Sequence, residues 1–445
     1  MKNPSKTLPL LKIAALACLG LWAVASLGRA ILQSFSPAGG NDLYTYWYAG
    51  HFLREGKDFY QAFIDNNLPA VPVRYLDRRV DSLSEVIFPG LVPAPASPPL
   101  AFYLMLPLAF FSWPVAKGIW LAVNLILLGC LPFLLVKALP RKDWLTRGEL
   151  LALIFALLGL TSTRYAAASG QLTFLVLDLM LAALILSARK PIGKNRKASL
   201  WGDGTEWLAG FCLGLALSKY SLSIGLLILF VFFEPRPRLV LAALFVQLAG
   251  GIILILQTGT GPIDLLGEYS RMLSLHAGME GIHLAGLFPR SGWAVWIGIG
   301  FTLLVGLPLA FWRWKAGPWR LDRSLPGLGR AVLAVSLTLW ALLAVYHRAY
   351  DAMLVIVFFS LAAYLLKFPQ DWQAGRQARI GLGAFSVFAL LLLMIPSGSL
   401  VRGSLPALLE NWWGVVENLT TTLAILACLV ISILLLFRAS RQSGG

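Results

Sequence analysis

The sequence predicts an all-α polytopic membrane protein, a single integral domain over residues 1–445 with about 12 transmembrane helices and a large first extracytoplasmic loop. Three observations predict it. Hydrophobic residues make up 58% of the chain and charged ones only 13%, about half the charged share of an ordinary soluble domain. The apolar residues collect in runs near the roughly 20 residues that cross a bilayer. The net charge of +16 resides mostly in short connections between those runs. That is the positive-inside pattern, so the basic balance points to anionic lipid and not to nucleic acid.

The first run, 8–32, follows Lys2 and Lys6 and contains Ala23-Val24-Ala25, a triplet suited to signal cleavage. It is long enough to span, which predicts a retained helix. Further runs follow at 115–137, 149–162, 171–187, 206–218, 222–233, 238–256, 292–312, 328–346, 352–366, 379–395 and 417–437. A shorter apolar stretch, 98–113, is expected to re-enter the membrane or lie on its surface. With the N-terminus in the cytoplasm, the cytoplasmic loops collect Lys137, Arg141 and Arg147, then Arg189 to Lys197, Arg236 and Arg238, then Arg313 to Arg323, Lys367, Arg376 and Arg379, and finally Arg438. This predicts a multi-pass protein of the plasma (inner) membrane with both termini cytoplasmic.

The opposite face carries loop 33–97, marked by Pro69, Pro72, Pro89, Pro93 and Pro95, and loop 257–291, in which 264–275 reads as a short amphipathic helix. It also carries turns at 161–170, 219–221 and 346–351, and a loop 396–416 with Trp412 and Trp413. Polar candidates concentrate there. Asp42 stands beside Tyr44, Tyr46 and Tyr48, either as a proton acceptor or as a cap for a helix through 43–54. Lys219 interrupts a long apolar run, and an intramembrane cation costs about 2.5–3.5 kcal/mol on the insertion scale, so it faces a cavity or partner unless it snorkels. With Arg164, it suits a phosphate. In the turn His347-Arg348-Ala349-Tyr350-Asp351, the histidine suits a phosphate oxygen or a shared proton, and Asp351 either supports the site from behind or is only the partner of Arg348.

The four cysteines lie in apolar runs, and the histidines lack metal-ligand spacing, so neither a disulfide framework nor a metal site is expected. No Walker loop, dinucleotide fingerprint or GxSxG is present. A donor supplied within the membrane fits better than a nucleotide.

The order of short motifs carries a resemblance. Asp42-Leu-Tyr-Thr-Tyr, Leu53-Arg-Glu-Gly56, Phe59-Tyr60, Ser97-Pro-Pro-Leu100, Leu106-Pro107, Gly170-Gln171, Ala209-Gly210, Leu215, Lys219 and His347 with Tyr350-Asp351 together resemble glycosyltransferase family 87 over about residues 40–360. These are polyprenyl-phosphate-mannose-dependent mannosyltransferases of the GT-C superfamily. The resemblance implies a GT-C-like fold and inverting hexose transfer from a polyprenyl-phosphate donor to a lipid or glycan acceptor on the extracytoplasmic face, without a cofactor. It implies Asp42 as general base and Lys219, Arg164, His347 and Arg348 around the donor phosphate. Tyr44, Tyr46, Tyr48, Tyr60, Gln171, Tyr350 and Asp351 would shape the substrate pocket. Where the family carries Pro soon after the lysine, this chain has Tyr220-Ser221-Leu222. Broken helices with intramembrane cations also line transport pathways, so a transporter or flippase of lipid-linked sugars is the alternative.

Overall fold

The computed structural model describes residues 7–36, 39–65, 96–141, 144–188, 204–276, 282–284, 294–315, 327–345, 347–373, 375–394 and 407–440. The five loop prolines and the Trp412 and Trp413 side chains lie outside the described residues. Every regular element described is helical. In chain order these are α1 Thr7–Ser34, α2 Asn41–Arg54, α3 Phe59–Ile64, α4 Pro99–Met105, α5 Trp113–Ala138 and α6 Arg147–Gly159. Next come α7 Thr161–Ser169, α8 Thr173–Ser187, α9 Gly204–Ala216, α10 Tyr220–Ile228, α11 Pro237–Thr258 and α12 Pro262–His276. The last are α13 Ala294–Lys315, α14 Gly327–Ala344, α15 Ile356–Lys367, α16 Arg376–Met394 and α17 Ala407–Ser440.

Each of the twelve apolar runs is mainly helical over its described residues. Among the described residues, nine helical stretches are long and apolar enough to cross a membrane, or ten if α6 and α7, bent by 60°, count as one. The chain is an all-α polytopic membrane protein. Residues 98–113 do not form a long helix: α4 ends in a 3-10 segment, Leu106–Phe110, that packs on α2, where a Cβ on Gly50 would meet Ala109 Cβ at 2.6 Å. The expected turn 161–170 is instead the nine-residue helix α7, and α17 begins ten residues before the apolar run at 417.

The stretch 204–233 is helical over 30 residues, yet it folds back on itself. Arg236 Nη1 lies 2.9 Å from Glu206 Oε1, whereas a straight helix of that length would hold its ends about 45 Å apart. The reversal occurs at the 3-10 segment Leu217–Lys219, where Lys219 leaves helical geometry at φ −125°, ψ 70°. Two short antiparallel arms result, as the two apolar runs predict.

Helix α11 then runs parallel to α9. Gly210 faces Leu239 and Ala242, and Gly214 faces Ala243 and Val246, with a Cβ on Gly210 falling 2.3 Å from the Leu239 carbonyl. Gln247 donates to the Gly214 carbonyl at 2.6 Å. The hairpin tip therefore stops about 10 Å, or two turns, short of the end of α11, and Lys219 is held at depth.

The other end of the bundle is tied by charge. Arg141 meets Asp371 at 2.6 Å, Lys367 meets Glu149 at 2.6 Å, and Glu234 bridges Arg236 at 2.6 Å and Arg330 at 2.7 Å. The loops that the charge pattern assigns to one face thus pair with one another.

Candidate active site

The site forms where α2, the α7–α8 joint, the hairpin tip and a 3-10 segment, Ala349–Val355, converge. Two glycines fix the approach of the first two. Gly40 precedes α2 at φ +76° and donates to the Ala168 carbonyl at 2.8 Å. Gly170 ends α7 at φ +70°, where a Cβ would stand 2.7 Å from Leu43, and its carbonyl accepts from Trp120 Nε1 at 2.9 Å. Both positions need a left-handed conformation that a Cβ disfavours. Asp42 and Gln171 are brought to the same place.

Asp42 does not cap α2. The N-cap position belongs to Gly40, and Asp42 occupies the first turn with its side chain only 11% exposed. Its Oδ1 lies 3.8 Å from Arg348 Nη1, and its Oδ2 is buried without a hydrogen-bond partner in the protein. Burial pushes the Asp42 carboxyl above its ordinary value, and Arg348, Gln171 and Lys219 each pull it back. An acceptor-only oxygen is left available.

Lys219 points inward, with 13% of its side chain exposed, and does not snorkel. Its ammonium lies 2.5 Å from Asp351 Oδ1 and 3.0 Å from both Gln171 Oε1 and Thr173 Oγ1, so all three protons have acceptors. It also stands 4.8 Å from the centre of the Tyr350 ring. Asp351 Oδ1 accepts from Thr173 Oγ1 at 2.8 Å, and its Oδ2 faces His347 Nδ1 at 3.1 Å. His347 Nε2 faces the Ser221 carbonyl at 3.2 Å. An oxygen thus stands opposite each ring nitrogen and fixes the orientation of the imidazole. Of the two roles open to Asp351, the pairing with Arg348 is not the one observed: the 3-10 geometry turns Asp351 toward the hairpin tip, while Arg348 reaches Asp42.

The tyrosines divide by helix face. Tyr46, four residues from Asp42, bonds Ser97 Oγ at 2.8 Å, and Tyr60 donates to the Ser97 carbonyl at 2.5 Å. Tyr269 of α12 stands 6.0 Å from Tyr60 and donates to the Ala96 carbonyl at 3.4 Å. Tyr44 and Tyr48 stack on each other at 5.7 Å, and Tyr44 packs edge-on against Trp113 at 5.1 Å. Tyr44 thus ties α2 to α5 through Trp113. Arg164 is also elsewhere. It is buried, lies 5.1 Å over the Tyr165 ring, feels the charges of Arg29 and Glu417, and is not among the partners of Lys219 or Asp351.

Thr173 and Tyr269 were not singled out from sequence, and Ser97 was named only within the Ser97-Pro-Pro-Leu100 motif. A neutral hydroxyl in an apolar segment gives no charge signal, although Thr173 follows Gly170-Gln171 closely enough to share its turn. Among the described residues, no group of three or more histidine, cysteine or acidic side chains has an arrangement that could hold a metal ion.

The site can hold an anion beside a carboxylate that retains an open oxygen. The family model of glycosyltransferase family 87 matches residues 97–369, more than half of the chain. That match contains Gln171, Thr173, Lys219, His347, Arg348 and Asp351, and Asp42 precedes it. No curated protein and no solved structure matches the chain.

Proposed function

The chain belongs to glycosyltransferase family 87, and on that premise we propose that this membrane glycosyltransferase moves a hexose, mannose in the first instance, from a polyprenyl-phosphate donor to a lipid or glycan acceptor. The observation that carries the reading is the buried Asp42 with one unpartnered oxygen among Arg348, Gln171 and Lys219. In this reading Asp42 takes the proton of an acceptor hydroxyl as that oxygen attacks the anomeric carbon. The bond to the polyprenyl phosphate breaks on the opposite face, its electron pair goes to the phosphate oxygen, and the configuration inverts. No acid is needed for so stable a leaving group.

Lys219 and Arg348 supply the positive charge that meets the phosphate, with His347 beside them as a hydrogen-bonding group. Asp351 orients Lys219 and His347, and Gln171 or Thr173 can yield its bond to the Lys219 ammonium when a phosphate oxygen arrives. Arg164, directed elsewhere, has no part in this step. Reaction takes place on the extracytoplasmic face of the plasma membrane, with both termini cytoplasmic and no metal required.

The test is transfer of radiolabel from synthetic polyprenyl-phosphate mannose to membrane lipid extract, comparing wild type with Asp42→Asn. Label in lipid or glycan product with wild type alone supports donor class and base together. Equal transfer by both removes Asp42 from the mechanism.

A further inference from the structure

His347 and Arg348 stand between the end of α14 at Ala344 and the 3-10 segment that begins at Ala349, in backbone that belongs to no regular element. Their side chains nevertheless diverge to set partners, His347 to Asp351 at 3.1 Å and Arg348 to Asp42 at 3.8 Å. Something must hold the peptide between them. The Arg348 carbonyl accepts from the Asp351 amide at 2.9 Å, whereas the His347 carbonyl is taken by another part of the chain, the Ile282 amide of loop 257–291, also at 2.9 Å. Ile282 is fully buried, and its own carbonyl accepts from Thr422 Oγ1 of α17 at 2.9 Å. Two bonds in series thus join the last helix to the peptide from which two site residues spring.

Helical phase puts Thr422 in place. Ile425, Leu429, Ser432 and Leu436 form a buried stripe on α17, and Thr422, also fully buried, continues it one turn toward the N-terminal end. A threonine inside a helix ordinarily turns its hydroxyl to the carbonyl four residues back, and Thr422 does reach the Asn418 carbonyl at 2.7 Å. Ser432, on the same stripe, makes the same ordinary bond, to the Cys428 carbonyl at 2.8 Å. What sets Thr422 apart is the second acceptor, a backbone carbonyl 140 positions away that shares its single proton. Without the hydroxyl, the buried Ile282 carbonyl loses that donor.

We propose that Thr422 is a positioning residue of the reaction centre: through Ile282 it holds the His347 carbonyl, and so sets the peptide from which His347 reaches Asp351 and Arg348 reaches Asp42. The proposal rests on the transferase reading above and adds to it a helix that lies beyond the residues matched by the family. Sequence alone does not distinguish Thr422 from Thr420 and Thr421.

The experiment compares full-length wild type with Thr422→Val and Thr422→Ala, which lack the hydroxyl, and with Thr422→Ser, which keeps it. The readout is the pH profile of transfer from labelled polyprenyl-phosphate mannose. Asp42 faces Arg348, Gln171 and Lys219, which lower its carboxyl, and Asp351, which raises it. Arg348 shares a peptide bond with the tethered carbonyl, so it is the group that a loosened tie displaces. His283, buried next to Ile282, is lowered to about 4, first by burial and then by His347, and adds no charge of its own near neutral pH. Both hydroxyl-free variants are expected to lower transfer at neutral pH by roughly tenfold or more and to move its acid limb to higher pH, the direction expected of Arg348→Gln. Thr422→Ser should keep the rate and the limb of wild type. A limb left in place in the hydroxyl-free variants overturns the proposal, even where the rate falls, and so does an equal shift in Thr422→Ser. If wild type transfers no sugar, the reaction assignment fails separately, and the tie is decided by amide hydrogen exchange over residues 282–284 and 347–351. Faster exchange in both hydroxyl-free variants but not in Thr422→Ser upholds it; the same exchange in all four proteins overturns it.

Discussion

The hairpin α9–α10 carries a buried charge network at each end, and the two are built differently. At its base, Glu234 meets Arg236 at 2.6 Å and Arg330 at 2.7 Å, Arg236 also meets Glu206 at 2.9 Å, and Arg330 donates to Ser187 Oγ at 2.6 Å. Two carboxylates face two guanidiniums in close contact. At its tip, Lys219, Asp351 and His347 are as tightly joined, but among the described residues Asp42 has one oxygen without a hydrogen-bond partner and its ion pair with Arg348 is loose, at 3.8 Å. At the base every charge meets an opposite one within 2.9 Å, although Glu234 Oε2 and Arg330 Nε meet without hydrogen-bond geometry, and such a network holds structure; at the tip Asp42 has no ion pair that close, which leaves capacity for a substrate. A buried polar atom left open costs about 1–3 kcal/mol, and a catalytic site is a natural reason for bearing that cost.

If this contrast is right, substitutions at the two ends should damage different properties. The largest effect is expected at Asp42→Asn, which keeps the size of the side chain and removes the base. Transfer should fall by about 10²–10⁴-fold, with thermal stability unchanged or slightly raised because an unpaired charge is gone. The same rate for wild type and variant would make the open oxygen a mere packing defect. Next in size is Glu234→Ala. It leaves Arg330 buried and unpaired, and unfolding free energy should drop by about 3–5 kcal/mol, measured by chemical denaturation in detergent. A stable but inactive Glu234→Ala protein would erase the distinction between the ends.

Lys219→Met sits between these cases. It strips Asp351 of its nearest cation, so stability and turnover should decline together, turnover by about 10²–10³-fold. The double variant Lys219→Met with Asp351→Asn sharpens the comparison: it should recover much of the stability and none of the transfer. Recovery of both would assign the tip network to structure alone.

The helices and the ionisable members of the site were legible because each gives a one-dimensional signal. Apolar runs of the right length marked the helices, and Lys219, His347 and Asp351 stood out as charges in apolar surroundings. The two short runs either side of Lys219 foretold the reversal that the unbroken helical stretch 204–233 conceals. What sequence could not supply was azimuth. Arg164 and Lys219 both lie near short breaks, but the 60° bend between α6 and α7 sends the arginine toward Tyr165 and Glu417 instead of the tip. Likewise the exchange of partners between Arg348 and Asp351 follows from a 3-10 turn, which adjacent residues in a list do not reveal. Tyr44 shares a helix with Asp42 yet packs on Trp113 of α5, with Tyr48 stacked on it, because a helix presents only one face to a site.

The open oxygen also predicts a pH response. Burial raises the Asp42 carboxyl above its ordinary value of 3.8, and the base acts only when ionised. Transfer should therefore decline as pH falls through a midpoint higher than that of an ordinary carboxylate, and the charge at Arg348 opposes the shift. Arg348→Gln should move the acid limb to still higher pH. A limb left in place would mean that Arg348 does not act on Asp42.

The smallest effect concerns neither network but α12, which closes over Tyr60 from the second loop. Glu268 on its buried face is raised from 4.5 to about 7, first by burial and then by Asp58 and Asp264, with Arg271 opposing. Asp58 is committed to its own bonds, accepting from the backbone of Tyr60 and Gln61 and from Thr260 Oγ1 at 2.7 Å. A carboxyl raised on docking favours the docked state while protonated, and that contribution is lost as pH rises from the ordinary glutamate range through about 7. Protease cleavage within α12 should accordingly quicken between pH 5 and pH 8, by a few-fold at most, since a single partly exposed group is involved. Glu268→Gln, neutral at every pH, should abolish that dependence while leaving the acid limb set by Asp42 where it is. If the limb moved as well, α12 docking and the reaction centre would be coupled, and the closed base of the hairpin would no longer be the sole structural anchor against which the site is defined.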